Sequence, residues 1–245
     1  MTVKNDPARN TADLSCALAP IFRGRFCDVL LPNRSTISFV EDEVIYNLGD
    51  GERTFFFILH GVVKVGTITD DGCEIIFDLR KDGDVVGELC TMQAVRPDRA
   101  VALERTEAVA VALDEIIGTL SSHPALLGDF LAVFCDALSA AYDQVRRLSS
   151  RNVEQRLINV LKTLAQKHGH PSGKMVEIPT YLTQEELSQM VAARRERVST
   201  ALNSLRRRGI AQYSTHGHLL VDLKALQDIA LRNNHSDNSP PMLRR

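Results

Sequence analysis

Between residues 25 and 113 the apolar positions come in short bursts, "FFFILHG", "VVKVGTI" and "EIIFDL", rich in Val, Ile, Phe and Thr. Polar turns punctuate them: "LGDGE", "TDDGCE" and "KDGDV", with Gly49, Gly61, Gly72 and Gly83 recurring every eleven or twelve residues. Short strands broken by Asp-Gly turns predict an antiparallel sandwich or barrel. There is no exact internal repeat of the kind that marks a solenoid or propeller.

At Pro124 the period changes. Leu127, Leu131, Phe134, Leu138, Ala141, Val145 and Leu148 alternate spacings of four and three, which is an a/d seam about three heptads long. One long helix packed on its own domain would satisfy the same pattern. The narrowness of the seam and its place between two predicted domains favour a helix paired with its copy in a second subunit. A further helix is predicted from Asn152, with Gln155 three residues on, to Gly169. "HPSGKMVEIPTY" then reads as a turn with short strand segments. Thr183-x-x-Glu186 is a capping box opening a helix with Leu187, Met190 and Val191 on one side, "AAR" makes a short break, and "IAQYSTHGHLLVD" reads as a hairpin turning at His216-Gly217.

Between the break and the hairpin, residues 191–209 carry six arginines and one glutamate in a chain whose formal net charge is −2. Val198, Ala201, Leu202 and Leu205 fall at i, i+3, i+4 and i+7 and make one apolar stripe. The opposite face holds Glu196, Thr200, Asn203 and Arg207, with Arg195 and Ser199 at its border. Helix, short turn, second helix, Gly209 and a hairpin form the pattern of a winged helix-turn-helix. Its chemistry suits DNA: arginine forks onto guanine, a carboxylate accepts from cytosine N4, and Ser or Thr meets either class of base edge. Arg195, Glu196, Ser199 and Thr200 are the candidate base readers. Arg194, Arg197, Arg206, Arg207 and Arg208 are the candidate phosphate contacts, which give affinity and salt dependence without sequence choice.

The fold class is therefore α+β: an N-terminal antiparallel, jelly-roll-like β-roll, a long dimerisation helix and a C-terminal winged helix-turn-helix. The predicted boundaries are a tail and lead-in helix at 1–24, the roll at 25–123, the dimerisation helix at 124–150, the DNA-binding domain at 151–232 with its helix-turn-helix at about 183–208, and a mobile polar tail at 233–245. Composition changes little: 44% hydrophobic and 24% charged is ordinary globular usage. The five cysteines are scattered with no C-x-x-C pair, as in a reducing compartment. The start, "MTVKNDPARNTADLS", lacks a secretory h-region, and no run reaches the ~18 apolar residues of a membrane span, so a cytoplasmic protein with no membrane partner is expected. No P-loop, H-E-x-x-H or G-x-S-x-G is present, and an enzyme is not expected.

The order of β-roll, heptad helix and winged helix resembles the CRP/FNR family of bacterial transcription regulators. "DGDVVGEL" (82–89), "NVEQRL" (152–157) and "LTQEELSQMVAARRERVSTALNSLRRRGI" (182–210) carry the resemblance, which spans residues 25–230. It implies a homodimer seamed by the 124–150 helix, a two-fold symmetric double-stranded DNA operator, and RNA polymerase as a partner if the protein is an activator. Arg195-Glu196 match the family's base-reading pair. Thr200 stands where many members have another basic reader.

The family's cyclic-nucleotide pocket resembles Gly-Glu-Leu followed by Arg-Ser/Thr-Ala, the glutamate on the ribose and the arginine on the cyclic phosphate. Gly87-Glu88-Leu89 match the first part. "AVRPDRAVAL" does not match the second: it offers Arg96 and Arg99, neither followed by Ser or Thr, with Asp98 between them. Ala141 and Tyr142 stand where the base would be touched, and Cys90 adjoins the turn. The pocket motif for cyclic nucleotide is thus incomplete. An iron–sulfur cluster needs four thiolates, and only Cys16 and Cys27 lie near the N-terminus. Haem has candidate ligands in His60, His123 and Cys90 without a supporting motif. No metal site is predicted, the effector stays unnamed, and a roll that has lost any ligand is a third possibility. His216 and His218 are expected to meet phosphates or solvent. The rival reading is a cyclic-nucleotide-binding regulatory protein that acts through protein contacts instead of DNA.

Overall fold

The computed structural model describes residues 25–91, 95–148 and 152–236. The predicted lead-in helix at 1–24 and the tail beyond 236 lie outside them. By internal contacts the described chain divides into one unit reaching Asp71 and resuming at Phe77–Ala140, and a second of Gly72–Ile76 with the residues from Ala141 on.

In the first unit a short helix α1 (Arg25–Leu30) precedes β1 (Thr36–Phe39), β2 (Val44–Tyr46), β3 (Thr54–His60), β4 (Val63–Ile68), β5 (Glu74–Arg80), β6 (Val85–Val86), a 3-10 turn (Glu88–Thr91), β7 (Arg99–Ala102) and β8 (Thr106–Ala112). The strands form two four-stranded sheets, ordered β1-β8-β3-β6 and β2-β7-β4-β5. The pairings are antiparallel, with Phe57 opposite Val109 and Val65 opposite Ala100. The continuous apolar run of β3 has a simple cause: both of its faces are covered. Phe56 and Ile58 pack with Phe39, Tyr46, Val63, Val86 and Ala100 in one core. Phe55, Phe57 and Leu59 point the other way, onto Leu30, Leu113, Ile116 and Leu126.

Leu30, Leu113 and Ile116 belong to helices that were not predicted within the roll at 25–123, and Leu126 to a turn at the start of the predicted dimerisation helix. Helix α2 (Leu113–Ser122) and a 3-10 turn (Pro124–Leu126) precede the long helix α3 (Leu127–Leu148). The heptad helix thus begins three residues after Pro124. Its seam is also split. Leu131, Leu138 and Val145 are 51%, 53% and 68% exposed, in line with exposed Leu127, Ala141 and Tyr142. Phe134 instead turns toward the roll, its ring 5.2 Å from Phe130, which lies 6.1 Å from Phe55. Local packing explains the split: Phe134 reaches the core of the roll, while Leu127 and Ala141, one heptad to either side, stay exposed. The side chain of Leu148 lies outside the described residues.

The second unit holds α4 (Val153–His168), β9 (His170–Ser172), β10 (Met175–Ile178), α5 (Gln184–Val191), α6 (Arg195–Arg207), β11 (Ala211–Tyr213), β12 (Leu219–Val221) and α7 (Leu223–Ser236). Asn152 caps α4 by accepting from the Glu154 N–H at 2.9 Å, and Gly169 ends it. The hairpin and the short strand segments join in one antiparallel sheet, β11-β12-β10-β9. Helix α7 runs through 233–236, which corrects the expectation of a mobile tail from 233. Leu226 and Ala230 bury its inner face.

Candidate nucleic-acid interface

Helix α5 opens with the full capping box: the Thr183 hydroxyl accepts from the Glu186 N–H at 3.1 Å, and the Glu186 carboxylate accepts from the Thr183 N–H at 2.8 Å. It stops at Ala192, whose φ of 50° is left-handed and breaks the helix without a glycine. Helix α6 follows. Val198, Ala201, Leu202 and Leu205 are all buried, as the stripe predicts, and Val198, Leu202 and Leu205 each contribute ~1.5–3 kcal/mol. That burial fixes the rotation of the helix and turns Arg195, Glu196, Arg197, Thr200, Asn203, Arg206 and Arg207 to the surface, with Arg194 exposed at the N-cap and Ser199 half-buried at the border. All nine predicted DNA-contacting residues therefore lie on or beside one helix, and eight of them are exposed.

Arg208 behaves differently. Its Nη1 donates to Glu154 Oε1 at 2.8 Å, tying the end of α6 to the first turn of α4, so it serves as a clamp. His218 is also held within the protein, Nδ1 3.0 Å from Glu177 Oε1, while His216 is exposed. The hairpin turns at Gly217, with φ +81°, and a Cβ there would come within 3.1 Å of the Tyr181 ring. Beside it, Tyr181, Thr183, Arg195, Tyr213 and Gly217 line a concavity of about 440 Å³. Burial raises the pKa of Tyr213 against the opposing effect of Arg206, whose guanidinium lies 5.7 Å from the ring centre.

In the roll, the predicted pocket residues do not form an open anion seat. Arg96 and Asp98 are each 1% exposed. Arg96 donates to the Thr54 carbonyl at 2.6 Å and the Gly87 carbonyl at 3.3 Å, and lies 3.9 Å over the Tyr46 ring. Tyr46 in turn donates its phenol to Asp98 Oδ2 at 2.8 Å. Gly87 has φ +91°, and a Cβ on it would sit 2.6 Å from the Thr54 carbonyl oxygen and 2.9 Å from Arg96 Nη1, so glycine is what lets the arginine in. Glu88 is buried, with Oε1 3.4 Å from Arg80 Nη2. Burial raises the pKa of Glu88 and outweighs that long ion pair; burial likewise raises Asp98 against its bond from Tyr46. Burial opposes the charge on Arg80, but Glu88, Asp78 and Asp84 overcome it and leave its pKa above the ordinary value. Arg99 is half-buried on β7, Leu89 and Tyr142 are exposed, and the Cys90 side chain lies outside the described residues.

Two family models match the sequence: a cyclic nucleotide-binding domain over residues 36–123 and a Crp-like helix-turn-helix domain over residues 155–229. The chain belongs to the CRP/FNR family of transcription regulators. It is 26% identical over 191 residues to the CRP-like cAMP-activated global transcriptional regulator of Mycobacterium tuberculosis, covering 78% of this chain and 85% of that one. It is 26% identical over 192 residues to the global nitrogen regulator of Synechocystis, covering 77% and 84%. It shares its fold with a CRP/FNR-family regulator from Thermus thermophilus: TM-score 0.66, 24% identity, 80% of this chain and 98% of that one. No single described helix is long and apolar enough to cross a membrane, and no cluster of metal ligands occurs among the described residues.

For a CRP/FNR chain the informative departure is in the roll. Sequence reasoning picked out Arg96 and Asp98 as misfits to the phosphate motif but missed their partners Tyr46 and Thr54, and Arg80, the partner of Glu88. Nothing local could have found Tyr46 and Thr54, which lie 52 and 42 residues from Asp98 and Arg96 in sequence.

Proposed function

We propose that this CRP/FNR regulator works as a homodimer, seamed along the exposed stripe of α3, which sets two copies of α6 into successive major grooves of a palindromic operator. Arg195, Glu196, Ser199 and Thr200 read base edges, and Arg194, Arg197, Arg206 and Arg207 hold phosphates. The observation that carries this reading is α6 itself, its apolar stripe fully buried and its arginines outward. The roll at 25–123, the helix at 124–150 and the DNA-binding part from 151 divide the work; a place in the cytoplasm, and contact with RNA polymerase at activated promoters, follow from it. On the sensor side we infer a roll that holds itself closed without a cyclic phosphate, because Arg96 already serves two backbone carbonyls and a tyrosine ring.

The test is a salt titration of binding to duplex DNA. Four phosphate-contacting arginines in each of two subunits neutralise about eight phosphates, and log affinity then falls with log salt at a slope of about −7. From 50 to 200 mM salt that is a loss of about 10⁴-fold. Binding that is absent, or indifferent to salt, would leave the rival protein-contact reading in its place.

A further inference from the structure

Beyond Thr200, the exposed face of α6 carries chemistry that the first-turn pair and the arginines do not use. Thr200, Asn203, Arg206 and Arg207, with Ala211 and Gln212 from β11, line a concavity of about 710 Å³. Thr200 Oγ1 donates to the Glu196 carbonyl at 2.8 Å, so its hydroxyl proton is engaged within the helix and its methyl group is the part left for a ligand. Asn203 is exposed, and its Oδ1 accepts from Arg206 Nη1 across 3.4 Å, a bond long enough to give way to a better partner.

We propose that Asn203 is a further specificity-determining residue: its carboxamide takes the adenine of an A·T pair, with the Thr200 methyl group against a neighbouring thymine. The proposal rests on the DNA-regulator reading above. A side-chain amide matches adenine N6 and N7 with one donor and one acceptor, a pairing no other base offers in the major groove. A phosphate would go to the guanidinium groups of Arg206 and Arg207 at the rim of the same concavity, which bring full charge and a forked geometry that a neutral amide lacks. Position follows from helix rise. Seven residues separate Glu196 from Asn203, about 10 Å along the axis at ~1.5 Å per residue. With α6 lying along the major groove, that is about three base-pair steps of ~3.4 Å, so the A·T pair lies about three pairs from the one Glu196 reads.

The experiment starts from duplexes selected out of a random pool by the full-length protein. Affinities are then measured for the selected site and for the same site with that A·T pair replaced by G·C in one half, using wild type and Asn203→Ala. Wild type is expected to prefer A·T by about 5- to 100-fold, and Asn203→Ala to bring the ratio to about 1 with the salt slope unchanged. An unchanged ratio in Asn203→Ala would overturn the assignment. So would equal weakening on both duplexes with a shallower salt slope, the mark of a phosphate anchor. A selected site indifferent at that pair sinks this inference alone, whereas a pool that yields no symmetric site sinks the regulator reading together with it.

Discussion

Replacing Arg96 by methionine tests whether the roll is held from inside. The substitution keeps most of the side-chain volume and removes the charge and five donors. Two hydrogen bonds go, to Thr54 O at 2.6 Å and Gly87 O at 3.3 Å, along with the cation–π contact to Tyr46 at 3.9 Å. Charged hydrogen bonds contribute ~1.5–3 kcal/mol each and a desolvated cation–π contact ~2 kcal/mol. Methionine also escapes the cost of burying a guanidinium, which offsets a large part of that sum. Asp98, 1% exposed and hydrogen-bonded to Tyr46, also loses a nearby positive charge that favours its ionised form, which adds to the loss. We therefore expect a loss of about 3 kcal/mol, which in a chain of this size lowers Tm by about 6–12 °C. Arg96→Met with Asp98→Asn removes both charges and should recover the part of the loss that comes from the unbalanced Asp98 carboxylate. Thermal unfolding followed by near-UV circular dichroism measures both. The same assay carries a ligand arm. A cyclic nucleotide at one hundred times its dissociation constant would add ~2.7 kcal/mol, so millimolar cyclic AMP should leave the wild-type Tm unmoved. A single variant that melts within 2 °C of wild type (about half a kcal/mol), a double variant no better than the single, or a clear rise with cyclic AMP would each refute the closed roll.

Glu88→Gln should change how stability depends on pH. Burial raises the Glu88 pKa in the folded protein above its unfolded value of about 4.3, so the native state keeps a proton that the unfolded chain has lost. The stability of wild type relative to Glu88→Gln is then greatest below the unfolded value and falls as pH rises through the folded one. Urea melts stepped from mildly acidic to neutral pH give the difference, and a difference that grows with pH contradicts the assignment. Leu138→Glu places a charge in the middle of the exposed α3 stripe, where loss of two leucine side chains per dimer, one from each copy, costs ~3–6 kcal/mol before charge repulsion is counted. Sedimentation velocity should show a monomer, and operator binding should fall with it; an intact dimer moves the seam elsewhere.

How far each part could be read from sequence follows the distance over which it is specified. The capping box at Thr183, the stripe on α6 and the Asp-Gly turns each sit within about ten residues, and each is in the structure where the pattern put it. Ala192 sat in the predicted break, but its left-handed backbone could not be anticipated from a residue that rarely adopts it; the helix on each side imposes it. Phe134 shows the next level of difficulty. Its place in the heptad follows from the spacing, and its contact does not, because Phe130 and the core of the roll take its ring and a single sequence does not say which of two apolar faces a helix residue will fill. Helix α2 was missed for a related reason: "LDEIIGTLSS" is rich in residues that favour strands or caps, and its helicity depends on Leu113 and Ile116 being buried against β3. Arg96 is the limiting case. In sequence it is an arginine next to a proline and two residues from an acid, a good description of a phosphate ligand that had lost its motif. Only the fold brings Tyr46 and Thr54, fifty and forty-two residues upstream, onto the face and the edge of its guanidinium and makes it a structural cation. A family's ligand arginine and an arginine that replaces the ligand look alike one residue at a time. They differ in whether the guanidinium bonds end on the chain's own carbonyls, and here they end on Thr54 and Gly87.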